Sequence, residues 1–287
     1  MTTVAQSTTE LNAASRRPEN IRSLSAWRRR LLIGVVVAYA ALLILAPLAA
    51  LVSGAFAKGL GASLQALSDP DVFSAFLLTL KIAFLTVAVH GLLGTVLAWV
   101  LVRYRFRGHW LLNGVIDLPF AVSPVVVGYM LLLLFGRTGL FAPLLEALDL
   151  KVAFAVPGMI LATLFVTLPF MAREVMPVLE SFGVEQEHAA ATLGASGWQT
   201  FWMVTFPALR WGFIYGVILT FARALGEFGA VLVVGGGIQG RTETLTLFIY
   251  RALDERQYVG AYSAAMVLGL LSLVLVIGTE LLRKREK

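Results

Sequence analysis

The chain has 287 residues, 59% of them hydrophobic and 14% charged, and its mean hydropathy is +0.83. A soluble domain of this length cannot cover so much apolar surface, so the composition indicates an integral membrane protein. The lack of cysteine excludes disulfides, thiolate metal sites and a cysteine nucleophile, and His90, His109 and His188 are too far apart for an HExxH-type metal site. The net charge of +6 suggests nucleic acid at first sight, but the basic residues sit at the edges of apolar runs. No nucleic acid, metal or cofactor is expected.

Residues 1–29 are polar and rich in Thr, Ser and Arg, and read as a disordered cytoplasmic tail. The apolar run from Leu31 to Val52 is too long for a signal h-region, although Ala55-Phe56-Ala57 resembles a cleavage site. It is long enough to span and reads as an uncleaved anchor. Six spans are expected, at about 31–53, 73–101, 110–135, 155–176, 211–235 and 258–282. The chain is therefore expected to be all-α, with a transmembrane domain over 30–283 and a short tail at 284–287.

Alternate loops then share a side. One set holds the arginines of the N-terminal tail with Arg103, Arg105, Arg107, Arg173, Arg210, Arg283, Lys284, Arg285 and Lys287. The other holds only Lys58, Arg137, Lys151, Arg241, Arg251 and Arg256. The positive-inside rule puts both termini and the loop at about 177–210 in the cytoplasm.

The third span contains Asp117, Pro119, Ser123, Pro124 and Gly128, and the fourth contains Pro157, Gly158, Thr163, Thr167 and Pro169. A proline frees a carbonyl one turn earlier, which hydrocarbon cannot satisfy. Such helices either pack with ordinary kinks or face a watery path.

The loop between the fourth and fifth spans is the most informative stretch: EQEHAAATLGASGWQTFWMVTFP, Glu185 to Pro207. Two short helices are expected to meet at Gly194, where glycine suits a helix C-terminus, with Ser196 as the N-cap of the second. Trp198, Phe201 and Trp202 form an aromatic stripe on that second helix, which Pro207 should end or kink. A helical hairpin adsorbed on lipid should be basic, but this loop has Arg173 and Arg210 against Glu174, Glu180, Glu185 and Glu187. Its chemistry suits a protein groove better.

In the fifth span Arg223 and Glu227 are i, i+4 and expected near mid-span, where a charge costs at least ~2.5–3.5 kcal/mol. Two readings stand: a structural pair facing the bundle, or an Arg223 that lends positive potential to an anion path. Beyond it, Gly235, Gly236, Gly237 and Gly240 mark a flexible outer loop, with an interfacial helix expected over Thr244 to Leu253. No GxxxxGK[ST] occurs, and no Ser/His/Asp or paired-carboxylate constellation reads as an active site. The chain is not expected to be an enzyme, and energy for active transport must come from a partner.

The Glu185–Pro207 stretch resembles the EAA loop of ABC importer permeases, a Glu-Ala-Ala, Gly, Ile-x-Leu-Pro pattern. Ala189, Ala190, Gly194 and Pro207 fall in register, Val204 and Phe206 replace Ile and Leu, and His188 stands at the glutamate position. Glu187, one residue earlier, is an open candidate for that charge. The stretches Asp117–Gly128, Phe154–Glu174, Thr192–Trp202, Ala222–Val234 and YVGAYSAA from Tyr258 are similar to permeases of sulfate/thiosulfate importers, especially the W type.

The resemblance implies a type I ABC importer permease fold. It also implies an ATPase-coupling set of Glu185, Glu187, His188, Ala189, Ala190, Gly194, Ala195, Ser196 and Pro207. The implied partners are a T/U-type sister permease, a homodimeric ABC ATPase and an extracytoplasmic sulfate-binding protein, with sulfate or thiosulfate as cargo. Ser123, Thr163, Thr167, Arg223 and Glu227 are candidates for the anion path. Molybdate and tungstate permeases share much of the fifth-span sequence. A self-contained secondary anion transporter, with Asp117, Arg223 and Glu227 as relay, has no use for a docking loop in this register.

Overall fold

The computed structural model describes the backbone from Ala26 to Glu286 and side chains from Trp27 to Leu281, so residues 1–25 of the expected tail lie outside the described residues. It divides into two units, Met1–Ala50 and Leu51–Lys287.

Most of α1 (Ala26–Ala55) belongs to the first unit. Its apolar side chains, from Leu31 through Leu45, are exposed around the whole helix, as befits a helix solvated by lipid or by another chain.

In the second unit α2 (Leu60–Leu67) leads into α3 (Pro70–Arg103), a long helix with a π-helical turn at His90–Gly94. Asp69 caps α3 through Asp71 N at 2.9 Å, and Pro70 takes the first turn, where a missing N–H costs nothing. The expected third span is broken into α4 (His109–Ala121) and α5 (Pro124–Phe135), bent by 114° at Val122–Ser123. Pro124 cannot donate back to Phe120 and disfavours a helical residue before it, so the break falls there. A short α6 (Ala142–Ala147) precedes α7 (Val156–Phe182).

Helix α7 is the centre of the unit, with Met159, Ala162, Val166, Met171, Ala172, Val175 and Leu179 buried. It is longer than the expected span and carries Arg173 inside it, not in a loop. Helix α8 (Glu185–Thr192) turns into α9 (Gly197–Leu225), which passes through a second π-helical turn at Phe201–Thr205. Gly212 and Gly216 let α9 approach α7 closely; a Cβ on Gly216 would lie 2.5 Å from Met171 Sδ, and one on Gly212 3.1 Å from Glu174 O.

The expected fifth span 211–235 is not continuous: α9 ends at Leu225, and α10 (Gly229–Gly235) is a separate short helix beside α5. A Cβ on Gly128 would lie 2.6 Å from Val233 Cβ and 2.9 Å from Ala230 O, so these half-helices touch backbone to backbone. Helix α11 (Leu245–Asp254) falls where a helix over Thr244 to Leu253 is expected, and it packs against the bundle, with Leu245, Leu247, Phe248 and Ala252 buried and Leu245 N donating to Thr79 Oγ1 at 2.8 Å. The last span, α12 (Tyr258–Glu286), continues as helix through most of the expected 284–287 tail.

Candidate functional site

The α8–α9 hairpin is closed by local hydrogen bonds that its sequence encodes. Gly194 adopts φ +86°, with Ala195 N donating to Ala190 O at 3.1 Å and Gly194 N to Ala191 O at 3.0 Å, a complete Schellman closure of α8. Ser196 and Gln199 form a reciprocal capping box at the start of α9: Ser196 N donates to Gln199 Oε1 at 2.8 Å and Gln199 N to Ser196 Oγ at 3.3 Å.

Pro207 does not end α9. It sits two residues past the π-helical turn, where Phe206 N has already shifted its bond to Phe201 O. The wider turn absorbs the missing donor, so the helix begun at Gly197 runs on into the membrane.

Glu187 holds the hairpin to the rest of the unit. Its carboxylate accepts from Arg103 Nε and Nη2, both at 3.1 Å, and from Thr205 Oγ1 at 2.9 Å. Arg103 also donates to the carbonyls of Leu179 and Gly183. The two side chains are only 8% and 16% exposed, so the pair is shielded from water. His188 and Ala189 face outward, while Ala190 and Ala195 are half-buried. Glu185 is exposed at the start of α8 and accepts from Val184 N at 3.1 Å. Leu193, 89% exposed, forms the tip. The aromatic stripe is present, Trp198, Phe201, Trp202 and Phe206 being in mutual ring contact. It lines one wall of an apolar groove of about 970 Å³ whose other wall is α3, at Gly91, Thr95 and Trp99.

At the far end of α9, Arg223 Nη1 lies 2.9 Å from Glu227 Oε2. The two are not on one continuous helix face, since Glu227 lies past Leu225. Glu227, 3% exposed, accepts from Ala230 N at 3.1 Å through its other oxygen, and its carbonyl accepts from Thr246 Oγ1 at 2.8 Å. Glu227 thus stitches together the end of α9, the start of α10 and the start of α11. Ser123, at the α4–α5 break, is exposed and makes no capping bond. Thr163 and Thr167 are fully buried and donate to Met159 O and Thr163 O, which leaves neither hydroxyl a free hydrogen for an ion in this conformation.

Residues 90–287 match the model of the binding-protein-dependent transport system inner membrane component. The chain belongs to this permease family. It is a multi-pass plasma-membrane protein and a transport component. Among its relatives, the sulfate transport system permease protein CysW of Synechococcus elongatus is 49% identical over 88% of this chain and 89% of that protein. CysW of Escherichia coli is 43% identical over 96% and 93%, and CysT of the same organism 38% identical over 88% and 91%. A bacterial ABC transporter involved in alginate import has the same fold, with a TM-score of 0.75 over 90% of this chain and 96% of that one at 17% identity.

Besides Arg103–Glu187, two charged pairs in this permease escape sequence reasoning. Arg173 Nε and Nη2 donate to Asp117 Oδ1 and Oδ2 at 2.9 and 2.6 Å, across a sequence separation that no local pattern reveals. Glu243, 3% exposed, accepts from Arg251 Nε at 2.6 Å and Nη2 at 3.1 Å, and this bonding pushes the Arg251 pKa up. The i, i+8 spacing of that second pair was the one available signal, and the loop reading of Glu243 concealed it.

Proposed function

We propose that this permease is the W-type membrane subunit of an ATP-driven importer for sulfate and thiosulfate. It works beside a T/U-type sister permease, a homodimeric ABC ATPase and an extracytoplasmic sulfate-binding protein, with both termini in the cytoplasm. The relatives named CysW and CysT support the anion and the paired permeases. The α8–α9 hairpin is the part that enters a cleft on the ATPase, presenting His188, Ala189 and Leu193.

One observation carries the mechanism: the second helix of the hairpin is also the fifth span. Helix α9 runs unbroken in backbone helicity from Gly197 to Leu225, about 43 Å at ~1.5 Å per residue, and ends at the Arg223–Glu227 junction. ATP-driven closure of the ATPase pair displaces the hairpin, and α9 carries that displacement to the breaks in the third and fifth spans. The two conformations are biased by ATP on one side and by loaded binding protein on the other.

Ser123 at the α4 break and Arg223 at the α9 break are the groups we assign to the path. A divalent anion needs such donors in place of hydrocarbon. Thr163 and Thr167 stand behind this surface. The test is ATP hydrolysis by the reconstituted importer with binding protein and sulfate, thiosulfate or molybdate. Stimulation by the two sulfur oxyanions, without molybdate, is expected. Stimulation by molybdate alone would reassign the cargo.

A further inference from the structure

The Asp117–Arg173 pair lies in an unusual place. Arg173 precedes the end of α7 at Phe182, and Asp117 follows the start of α4 at His109. At ~1.5 Å per residue both are about 12–14 Å from the hairpin-side ends of their helices, so the two helices independently put the pair at one level. Yet the side chains are 33% and 47% exposed on this chain. A charged pair on membrane-spanning helices faces protein or water, not lipid.

The next turn deeper is closed by aromatics on the same two faces. Phe120 follows Asp117 by three residues and Phe170 precedes Arg173 by three, and their rings meet edge to face at 5.4 Å. Ser123, exposed at the break, comes after them. The exposed face of α4 and α7 therefore reads, from the α4–α5 break toward the hairpin, as hydroxyl, aromatic pair and guanidinium–carboxylate pair.

Arg223 and Arg173 differ in what holds their partners. Glu227 is buried and fixed to Ala230 N, so it cannot leave Arg223 without losing a second bond. Among the described residues Asp117 has Arg173 as its one hydrogen-bond partner, and it is half open. The Arg173 fork that grips it with two parallel N–H groups matches two oxygens of a tetrahedral oxyanion equally well. The third nitrogen, Nη1, lies 3.8 Å from Met176 Sδ.

We propose that Arg173 is a second anion-binding residue, on the hairpin side of the Phe120–Phe170 pair, which exchanges the Asp117 carboxylate for the oxyanion as the ion leaves. Asp117 occupies the fork when no anion is there and restores neutrality once it has gone. The inference rests on the importer reading above. A stable contact with the sister permease is the competing role for this face.

The chain's lack of cysteine allows a direct test in the assembled importer. Asp117→Cys places one thiol beside a freed Arg173. An anionic methanethiosulfonate should label it about tenfold faster than the cationic analogue, and sulfate, but not chloride at equal ionic strength, should slow the reaction. No labelling by either reagent, or labelling without anionic preference or sulfate protection, overturns the proposal. Independently, Asp117→Asn with Arg173→Gln removes both charges. Normal complex yield with uptake lost supports the anion role, whereas wild-type uptake overturns it. Wild-type importer that shows no sulfate uptake would instead sink the functional reading, so the two failures are distinguishable.

Discussion

Removing Glu187 tests whether the hairpin is held by its bond to α3 or by packing. Helix α8 has no buried side chain, and an isolated helix of eight residues is unstable in water, so its attachments decide whether it keeps its place. Glu187→Ala deletes two charge-assisted bonds from Arg103 and one from Thr205. Breaking a shielded pair costs about 3–5 kcal/mol, and the lower end applies because Arg103 keeps the carbonyls of Leu179 and Gly183. A loss of ~3 kcal/mol changes the docked-to-undocked ratio by more than ~100-fold.

The expected result is rapid hydrogen exchange confined to α8 and the α8–α9 turn, with insertion intact and ATP hydrolysis no longer stimulated by loaded binding protein. Glu187→Gln retains an acceptor for Thr205 and should fall between. In a double-mutant cycle with Arg103→Ala the coupling should be ~1.5–3 kcal/mol. Unchanged exchange in Glu187→Ala, or single effects that simply add, would refute the claim that this pair anchors the hairpin.

Three further substitutions follow from the same geometry. Gly194→Asp meets no neighbour within 4 Å, so its cost is the left-handed backbone at φ +86°, roughly 1 kcal/mol; uptake should fall while membrane yield is kept, and normal uptake would sink the coupling assignment. Gly216→Leu drives a side chain into Met171, and overpacking of ~1–3 kcal/mol should lower complex yield, with partial rescue by Met171→Ala. Arg223→Gln leaves the Glu227 carboxylate buried without its cation, so yield should fall by the equivalent of ~3 kcal/mol, and adding Glu227→Gln should restore it. Uptake in that double variant separates a structural pair from an anion-attracting arginine: if Arg223 supplies potential to the path, assembly returns and transport does not.

Much of the hairpin was legible because its chemistry is local. Gly194 and Ser196 act within a few residues of themselves, so type and spacing suffice to place the closure of α8 and the N-cap of α9, although Gln199, which completes the capping box, was not singled out. The aromatic stripe was legible for the same reason. Pro207 misled because a proline's missing donor can be absorbed by a π-helical turn just before it, and no residue pattern in Phe201–Thr205 announces that turn. The break in the third span was signalled by Pro124. The break in the fifth, at Gly226-Glu227-Phe228, was hidden by reading Glu227 as the i, i+4 partner of Arg223 on one helix, and it exists because Glu227 bonds forward to α10 and α11.

By itself the sequence determined that the chain lives in a membrane, since so much apolar surface in long runs allows nothing else, and where its apolar segments lie. It also determined the polar hairpin, because caps and turns depend on neighbours in the chain. Tertiary structure alone decided which charges are partners. Arg103 with Glu187 and Arg173 with Asp117 join residues far apart in sequence, and each pair forms because packing brings two distant segments side by side. It likewise decided that Thr163 and Thr167 turn into the core while Ser123 stays open, because which face of α7 is covered depends on the helices that surround it, not on α7's own residues.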